Sequence, residues 1–368
     1  MSSSTDILII GAGVTGLTTA LRLAEQGVSV TLIDRQQSGK EASWAGAGML
    51  PPGNLSKAET PEARLRSLSH QLWPTLAAKL KERTGIDNGY RLCGSLELPG
   101  HKSFDNDVSS WRAESLRLED IDRTSIEHHV PGLHPEFQNG VFLQDFGQAR
   151  NPRHLKALLS ACNSLGVEIL EGVEQLNLTA KNGHVKAATP ARSFAADRIC
   201  VTAGSWTNQV LQPLGISVPV TPVRGQIVQL KVSQLPFSCV IEQGRRYIVP
   251  RADGLILVGS TEEHVGFEKR TTAEGVSGLL QFAERLVPEL GEAELVRSWA
   301  GLRPGSPDEL PYIGRLPQFK NLYIGAGHFR SGLQMSPGTG EVLASVLLDL
   351  TPPIQLTGLG TDRLSVQV

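Results

Sequence analysis

The hydrophobic pattern near the N-terminus predicts a strand, a helix and a second strand. Residues 6–10 end in an apolar run that a glycine closes, which is typical of a buried parallel strand. Residues 14–26 carry apolar side chains at helical spacing, and Gly27 is placed to end the helix. Residues 28–33 form another apolar run. In this order the three elements predict a right-handed βαβ unit with parallel strands.

Two segments far from the N-terminus have the same character. Residues 199–204 are a short apolar run that ends in glycine, and residues 322–325 are another. The second run leads into a glycine-rich segment over 325–340 and a predicted helix over 341–350. We therefore expect the two ends of the chain to build one domain together. Helical spacing also predicts helices over 61–84 and 152–165.

The pattern changes over residues 226–261, where short strands of alternating polarity are broken at Gly244 and again at 252–254. Such breaks are typical of hairpin turns, so this part predicts antiparallel sheet. The fold class is α/β with an α+β part, a Rossmann-like cofactor-binding domain with an inserted antiparallel-sheet substrate domain. The predicted boundaries are 1–85, 145–220 and 301–368 for the cofactor domain, and 86–144 and 221–300 for the substrate domain.

Composition excludes several classes of protein. The 368 residues carry a net charge of −2, which argues against a nucleic-acid-binding protein. No apolar run approaches the roughly 18–20 residues that span a bilayer, and the N-terminus has no signal-peptide pattern. We expect no membrane or nucleic-acid partner and a cytoplasmic location. The cysteines are scattered without a CxxC pair, which favours reduced thiols at Cys93, Cys162, Cys200 and Cys239.

A GxGxxG motif lies between the first predicted strand and helix, at Gly11, Gly13 and Gly16. In a dinucleotide site the first glycine permits the tight turn and the second lets the backbone approach a pyrophosphate. The third allows close packing of helix on strand. Asp34 ends the second strand, where an acidic side chain accepts hydrogen bonds from a ribose hydroxyl. A bare motif is weak evidence, but here all the surrounding elements agree.

FAD and NAD both use this fold, so the choice between them depends on the residues after the second strand. A nicotinamide dehydrogenase usually continues through further regular βα units. Residues 38–50 are instead rich in small side chains, which leave room for a bulky group against the backbone. This run favours FAD.

Four segments together carry a resemblance to a known family: the N-terminal fingerprint and residues 41–49, 299–305 and 327–332. They resemble the thiamine-biosynthesis type of glycine oxidases, a branch of the D-amino acid oxidase and sarcosine oxidase family of FAD-dependent oxidoreductases. The similarity runs from residue 6 to about residue 350, and the two C-terminal segments are its most specific part.

The resemblance implies FAD contacts beyond the glycine motif. It places an adenine-side backbone contact at Val173 and the flavin ring along the segment 328–334. The implied contacts are Val14, Thr15, Asp34, Arg35, Ala42, Ser43, Ala47, Gly48, Met49, Val173, His328, Phe329, Arg330, Ser331, Gly332, Leu333 and Gln334. The helix that begins near Gly338 is expected to direct its positive N-terminal dipole towards the flavin pyrimidine.

Arg303 is the leading candidate for a substrate contact. It lies between Leu302 and Pro304, which limit its freedom, and a guanidinium binds a carboxylate through two hydrogen bonds. Composition alone would favour a surface arginine on a loop. The resemblance instead implies carboxylate binding by Arg303 and Arg330, with Tyr247 as a third contact.

Other interpretations of these side chains stay open. Arg330 could form a structural ion pair, and Tyr247 could be a core residue. His328 could be a general base, although a residue positioned against the flavin is the favoured interpretation. Arg245 and Glu262 differ from the residues of other family members, which leaves the substrate range undecided. No metal motif or nucleophile elbow is present, so we expect no metal and no side chain acting as acid, base or nucleophile.

The resemblance implies oxidative deamination of glycine and other small amines, such as sarcosine and small D-amino acids, to an imine or oxo acid. O2 would be reduced to H2O2, and the imine would supply thiamine thiazole synthesis. One alternative is a dehydrogenase that passes electrons to a quinone or carrier protein; another is a flavin-binding scaffold without turnover. No cysteine lies in 325–340, so FAD is expected to be non-covalent. The family also suggests a homo-oligomer.

Overall fold

The structure is a computed structural model and describes residues 4–364. Its helices are α1 (Val14–Glu25), α2 (Ala42–Ala45), α3 (Pro61–Thr84), α4 (Phe104–Ala113), α5 (Arg123–His129), α6 (Asn151–Ser164), α7 (Thr207–Leu211), α8 (Ala273–Leu286) and α9 (Ser336–Leu347).

The strands are β1 (Ser4–Ile10), β2 (Val30–Ile33), β3 (Met49–Leu50), β4 (Arg91–Leu92), β5 (Ser95–Glu97), β6 (Leu118–Asp122), β7 (Asn139–Leu143), β8 (Gly147–Gln148), β9 (Glu168–Leu170), β10 (Asn177–Lys181), β11 (His184–Ala188), β12 (Ser193–Val201), β13 (Thr221–Lys231), β14 (Val240–Gln243), β15 (Arg246–Pro250), β16 (Leu255–Gly259), β17 (Glu294–Gly305), β18 (Tyr312–Arg315) and β19 (Leu322–Ala326).

A parallel sheet with strand order β9–β2–β1–β12–β19 joins strands from the N-terminal and C-terminal parts of the chain. The antiparallel strands β18 and β11–β10 extend it. The predicted βαβ unit and the buried strands near residues 199 and 322 are thereby confirmed. Ile7 and Ile9 of β1 pack in the core shared with α1, α3, α6 and α9, whereas Leu8 and Ile10 pack in the core on the other face. Burial on both faces explains the continuous apolar run.

Helix α9 begins earlier than its sequence predicts. The predicted helix covers 341–350, whereas the structure has Ser336–Leu347, with Pro337 in the first turn, where proline is tolerated. Gly338 and Gly340 lower helix propensity but let α9 approach its neighbours. A Cβ on Gly340 would lie 2.8 Å from Thr18 Cγ2, so only glycine allows this contact with α1.

The second sheet has strand order β17–β13–β16–β15–β14–β5–β7–β6. Its pairs are antiparallel except for β14 with β5. The predicted hairpins are confirmed, because β14 and β15 pair across Gly244 and β15 and β16 pair across the turn that includes 252–254. Alternate side chains divide between two cores: Ile248 packs with α8, whereas Val249 packs with Met49 and Trp299.

The division into two domains stays a prediction. The strands of the parallel sheet fall in the ranges predicted for the cofactor domain, and those of the second sheet fall in the ranges predicted for the substrate domain, except that β17 continues past residue 300 to Gly305. A small third sheet joins β3, β8 and β4. Within residues 4–364, no helix is long and apolar enough to cross a membrane.

Two helical glycines give a test of the packing argument. We expect Gly340→Ala to lower the free energy of unfolding by about 1–3 kcal/mol, since the new methyl group must displace α1. Gly278→Ala in α8 is the matched control, because the nearest atom to its Cβ is Arg246 Nη2 at 4.0 Å. That change should raise the free energy of unfolding by up to about 1 kcal/mol through helix propensity. Urea denaturation followed by tryptophan fluorescence measures both, and equal effects would contradict the packing argument.

Candidate active site

The parallel strands bring chemically important residues to one edge of the sheet. Gly11 follows β1, Asp34 follows β2 and Thr202 follows β12, and all three line a cavity of about 1040 Å³. Ligand pockets of roughly 300–1,000 Å³ are common, so this cavity suits a large ligand. Its wall also includes Tyr247 of β15 and Arg303 of β17. Parallel sheets generally bind ligands beyond their carboxyl ends.

Most of the residues implied by the resemblance lie in the wall of this one cavity. They include Val173 and the whole segment 328–334, and Arg330 is among them. Of the predicted cofactor residues, Gly16 alone lies outside the wall. A Cβ on Gly16 would lie 2.0 Å from Gly11 O, which supports the packing role assigned to it. The individual contacts with cofactor and substrate stay predictions.

The glycine turn has the geometry that a pyrophosphate needs. Gly11 has φ +111°, and a Cβ there would lie 2.6 Å from Thr202 O. The N-cap residue of α1 is Gly13, so no N-cap side chain covers the end of the helix. The N–H of Val14 donates to Ser43 Oγ at 3.0 Å. Gly13, Val14 and Thr15 all line the cavity. A helix N-terminus open to a cavity is a favourable place for phosphate groups.

Each carboxylate oxygen of Asp34 accepts one backbone hydrogen bond and can accept another. Its Oδ2 accepts the N–H of Ala12 at 2.8 Å, and its Oδ1 accepts that of Gln36 at 3.0 Å. Burial raises the pKa of Asp34, and these two N–H groups oppose that shift. Beside it, the Arg35 guanidinium lies 4.0 Å from the ring centre of Trp206, which also lines the cavity. Trp206 was not identified from the sequence, although it comes only a few residues after an identified strand.

The run of small residues forms another part of the wall through Ala42, Ser43, Ala47, Gly48 and Met49. A Cβ on Gly48, whose φ is +73°, would lie 1.9 Å from Ala149 O, so the chain can pass here only as glycine.

Arg251 donates a hydrogen bond to the run of small residues, at Ala47 O. It is 4% exposed and donates to Gln148 Oε1 at 2.6 Å, to Ala149 O at 3.1 Å and to Ala47 O. Burial lowers the pKa of Arg251 to about 10. The sequence contained no signal for this role, because the partners of Arg251 are two backbone carbonyls and one side chain from distant segments.

The C-terminal segment brings a neutral histidine to the cavity. His328 Nε2 lies 3.0 Å from Thr339 Oγ1 of α9, and burial lowers the pKa of His328 to about 4. At neutral pH its imidazole is therefore uncharged. This agrees better with a positioned side chain than with a base that carries a proton through the reaction.

Arg303 is partly buried and donates hydrogen bonds to neutral acceptors. Its Nη1 donates to Thr261 O at 3.1 Å and its Nη2 donates to Ser260 Oγ at 2.5 Å. A Cβ on Gly225 would lie 2.3 Å from the guanidinium, so glycine at this position makes room for it. Burial lowers the pKa of Arg303, which reflects the cost of holding its charge away from water. A carboxylate ligand would reduce this cost.

Arg330 has a different environment, because its Nη2 pairs with Glu262 Oε2. Glu262 Oε1 pairs in turn with Arg245, whose Nη2 lies 3.2 Å from Glu309 Oε1. The structure therefore supports the alternative that Arg330 forms a structural ion pair. Its contact with substrate stays a prediction. The sequence left the roles of Arg245 and Glu262 undecided, and the structure joins them in one network.

Sequence reasoning missed Glu242, which lines the cavity next to Tyr247. The two residues are direct partners in the β14–β15 ladder, so their side chains share a face of the sheet. Ser95 Oγ donates to Glu242 Oε1 at 3.3 Å, and burial raises the pKa of Glu242 to about 7. Glu242 could have been identified from the predicted hairpin, because it pairs directly with Tyr247, a predicted site residue.

No metal or thiol chemistry is evident in the described part of the chain. Among residues 4–364, no group of three His, Cys, Asp or Glu side chains is placed to hold a metal ion. All four cysteines lie in this range as free thiols, and none belongs to the wall of the cavity. Burial raises the pKa values of Cys162, Cys200 and Cys239 to about 12, so these thiols are unreactive.

The fold and the site together define a dinucleotide-dependent enzyme whose cavity wall includes Arg303 and Arg330. The family described as FAD dependent oxidoreductase (DAO) matches residues 6–346. The chain belongs to this family, and its cofactor is FAD. The resemblance noted in the sequence is thereby confirmed, and the residues of the cavity wall fit FAD.

Individual relatives agree with this assignment. A glycine oxidase from Pseudomonas aeruginosa is 35% identical over 353 residues, which cover 95% of this chain and 96% of the relative. A bifunctional protein ThiO/ThiG from a Synechocystis species is 36% identical over 95% of this chain and 52% of its own length. The crystal structure of glycine oxidase from Geobacillus kaustophilus superposes with a TM-score of 0.92 at 29% identity, covering 100% of both chains.

The role of Asp34 can be tested by FAD affinity. We expect Asp34→Ala to raise the dissociation constant for FAD roughly 10- to 100-fold, the value of one charge-assisted hydrogen bond. Fluorescence titration of the apoprotein with FAD measures this. Asp6→Ala is the matched control, because Asp6 also accepts a backbone N–H, that of Ser29 at 2.8 Å, but lies near the start of β1, whereas Asp34 follows the end of β2. Its effect should stay within about twofold, and equal losses would exclude a specific role for Asp34.

Proposed function

We propose that this protein catalyses the FAD-dependent oxidation of glycine and other small amino acids or amines, such as sarcosine and small D-amino acids. The product is an imine, which hydrolyses to the oxo acid, and O2 is the electron acceptor. The observation that carries the proposal is Arg303, a partly buried cation in the cavity wall whose two hydrogen-bond acceptors are neutral. The glycine oxidases among its relatives support the choice of substrate class.

In this proposal the protein contributes binding and orientation. Arg303 binds the substrate carboxylate, and Tyr247, which lines the cavity beside it, provides a hydroxyl donor. FAD, held by the glycine turn and Asp34, would supply the hydride acceptor for the α-carbon, and O2 would take up the two electrons and two protons to give H2O2. Holding the α-carbon at one place in the cavity supplies much of the rate acceleration through proximity. Neutral His328 adds no charge near the reacting carbon.

The proposal also includes the fate of the product, the attachment of FAD and the oligomeric state. The imine would supply thiamine thiazole synthesis, which agrees with the ThiO/ThiG name of one relative. We expect FAD to be held without a covalent bond, because no cysteine lines the cavity in the described residues. Heating the protein should therefore release the yellow cofactor into the supernatant. The chain is also expected to form a homo-oligomer.

The test of the proposed function is an anaerobic screen for flavin reduction with glycine, sarcosine, D-alanine and D-proline, followed by measurement of O2 uptake and H2O2. We expect at least one of the four to bleach the flavin and peroxide to form when air is admitted. Bleaching without peroxide would favour the dehydrogenase alternative. If no amine reduces the flavin, the scaffold alternative is favoured instead.

The carboxylate role of Arg303 predicts a specific kinetic change. Arg303→Met should raise KM for glycine roughly 10- to 100-fold while FAD stays bound, because a charge-assisted contact is worth about 1.5–3 kcal/mol. Arg246→Met is the control, since Arg246 donates to Gly278 O at 3.2 Å and lies over Phe282, against α8. Steady-state O2 consumption measures both variants. A normal KM in the Arg303 variant would refute the assignment.

A further inference from the structure

Two arginines in the cavity wall differ in how their charge is compensated. The hydrogen bonds of the Arg303 guanidinium go to a hydroxyl and a backbone carbonyl, both neutral. Arg330 donates to the carboxylate of Glu262. In the described part of the chain, Arg303 forms no salt bridge, whereas Arg330 forms one. The two residues therefore offer unequal attraction to an anionic ligand.

Glu262 is the centre of a four-residue network in which charges alternate. Arg330 and Arg245 each pair with one of its carboxylate oxygens, and Arg245 also pairs with Glu309. Two cations and two anions leave the network without net charge. The side chains of Arg330 and Glu262 are 24% and 23% exposed, so the pair is partly shielded from water. Such pairs are weakened less by solvent than fully exposed ones.

This arrangement has different consequences for ligands with one and with two carboxylates. A single carboxylate at Arg303 need not break the ion pairs of the network, because the hydrogen bonds of Arg303 go to Thr261 and Ser260. A second carboxylate near Arg330 would compete with Glu262 for Nη2 of Arg330 and would be repelled by the charge of Glu262. Like-charge repulsion of this kind is a common way to reject an unwanted ligand.

We propose that Glu262 is a specificity-determining residue that occupies Arg330 and so restricts the cavity to substrates with one carboxylate. This inference rests on the proposed function in one respect, that the ligand carboxylate binds at Arg303. It names the substrate class more narrowly, as monocarboxylic amino acids and amines. It also assigns a role to Glu262, which the sequence left undecided.

The experiment compares binding of acetate, malonate and succinate to the FAD-bound wild type and to Glu262→Gln. Glutamine keeps the size of the side chain and removes its charge, so Arg330 becomes available. We expect the affinity for at least one of the two dicarboxylates to rise about tenfold relative to acetate, which corresponds to about 1.4 kcal/mol. Calorimetric titration measures the dissociation constants without need of turnover. An unchanged ratio of dicarboxylate to acetate affinity would overturn the inference.

Glu309→Gln is the matched control, because it removes the same charge from the same network but leaves the pair of Arg330 with Glu262 in place. The ratio of dicarboxylate to acetate affinity in Glu309→Gln should match that of the wild type. If this ratio rises as much as in Glu262→Gln, the loss of one negative charge alone explains the rise, and the inference is contradicted. The double variant Glu262→Gln/Arg330→Met should lose the gain. If the gain persists there, a group other than Arg330 binds the second carboxylate and the inference is wrong.

Failure of the inference about Glu262 can be distinguished from failure of the proposed function. If the wild type binds no acetate, the carboxylate role of Arg303 fails. The comparison of wild type with Glu262→Gln for malonate and succinate still decides whether Glu262 masks Arg330. Retention of FAD and an unchanged thermal midpoint in each variant confirm that the compared proteins are folded.

Discussion

The close approach of two strand ends, β1 and β12, determines where everything else in the cavity lies. Gly11 contacts the backbone of Thr202, and Gly16 of α1 contacts the carbonyl of Gly11. A side chain at either glycine would separate the helix from the sheet and the two strand ends from each other. With glycine there, the N-terminus of α1, the carboxylate of Asp34 and the end of β12 meet beside one cavity. The polar groups for a dinucleotide are thus assembled by backbone packing.

Three buried or half-buried arginines around this cavity show three ways of managing a charge removed from water. Arg251 is surrounded by oxygen atoms from three residues and holds the run of small residues in place. Arg330 is neutralised by Glu262. Arg303 has neutral partners and a cavity in front of it. Because burying a cation without an anion is costly, the third arrangement is the one that favours a carboxylate ligand.

Much of the architecture could be predicted from the sequence, because the elements around the glycine motif and the hairpins have strong local signals. Continuous apolar runs marked β1, β2 and β19, and polar alternation with turn residues marked the ladder from β13 to β16. The start of α9 was predicted too late. Gly338 and Gly340 have low helix propensity, and their advantage appears only when α1 and α3 pack against them. Local pattern and tertiary contact therefore disagree at the start of α9.

The sequence by itself determined the dinucleotide fold, the choice of FAD and the identity of Arg303 as the carboxylate candidate, because each depends on a motif that is contiguous along the chain. Only the tertiary structure decided how Arg245, Glu262 and Arg330 are joined, since they come after three different strands and no spacing relates them. It likewise revealed Glu242 and Arg251, whose partners are set by strand register and by packing. Charge compensation depends on which distant residues meet, and that is a property of the folded chain.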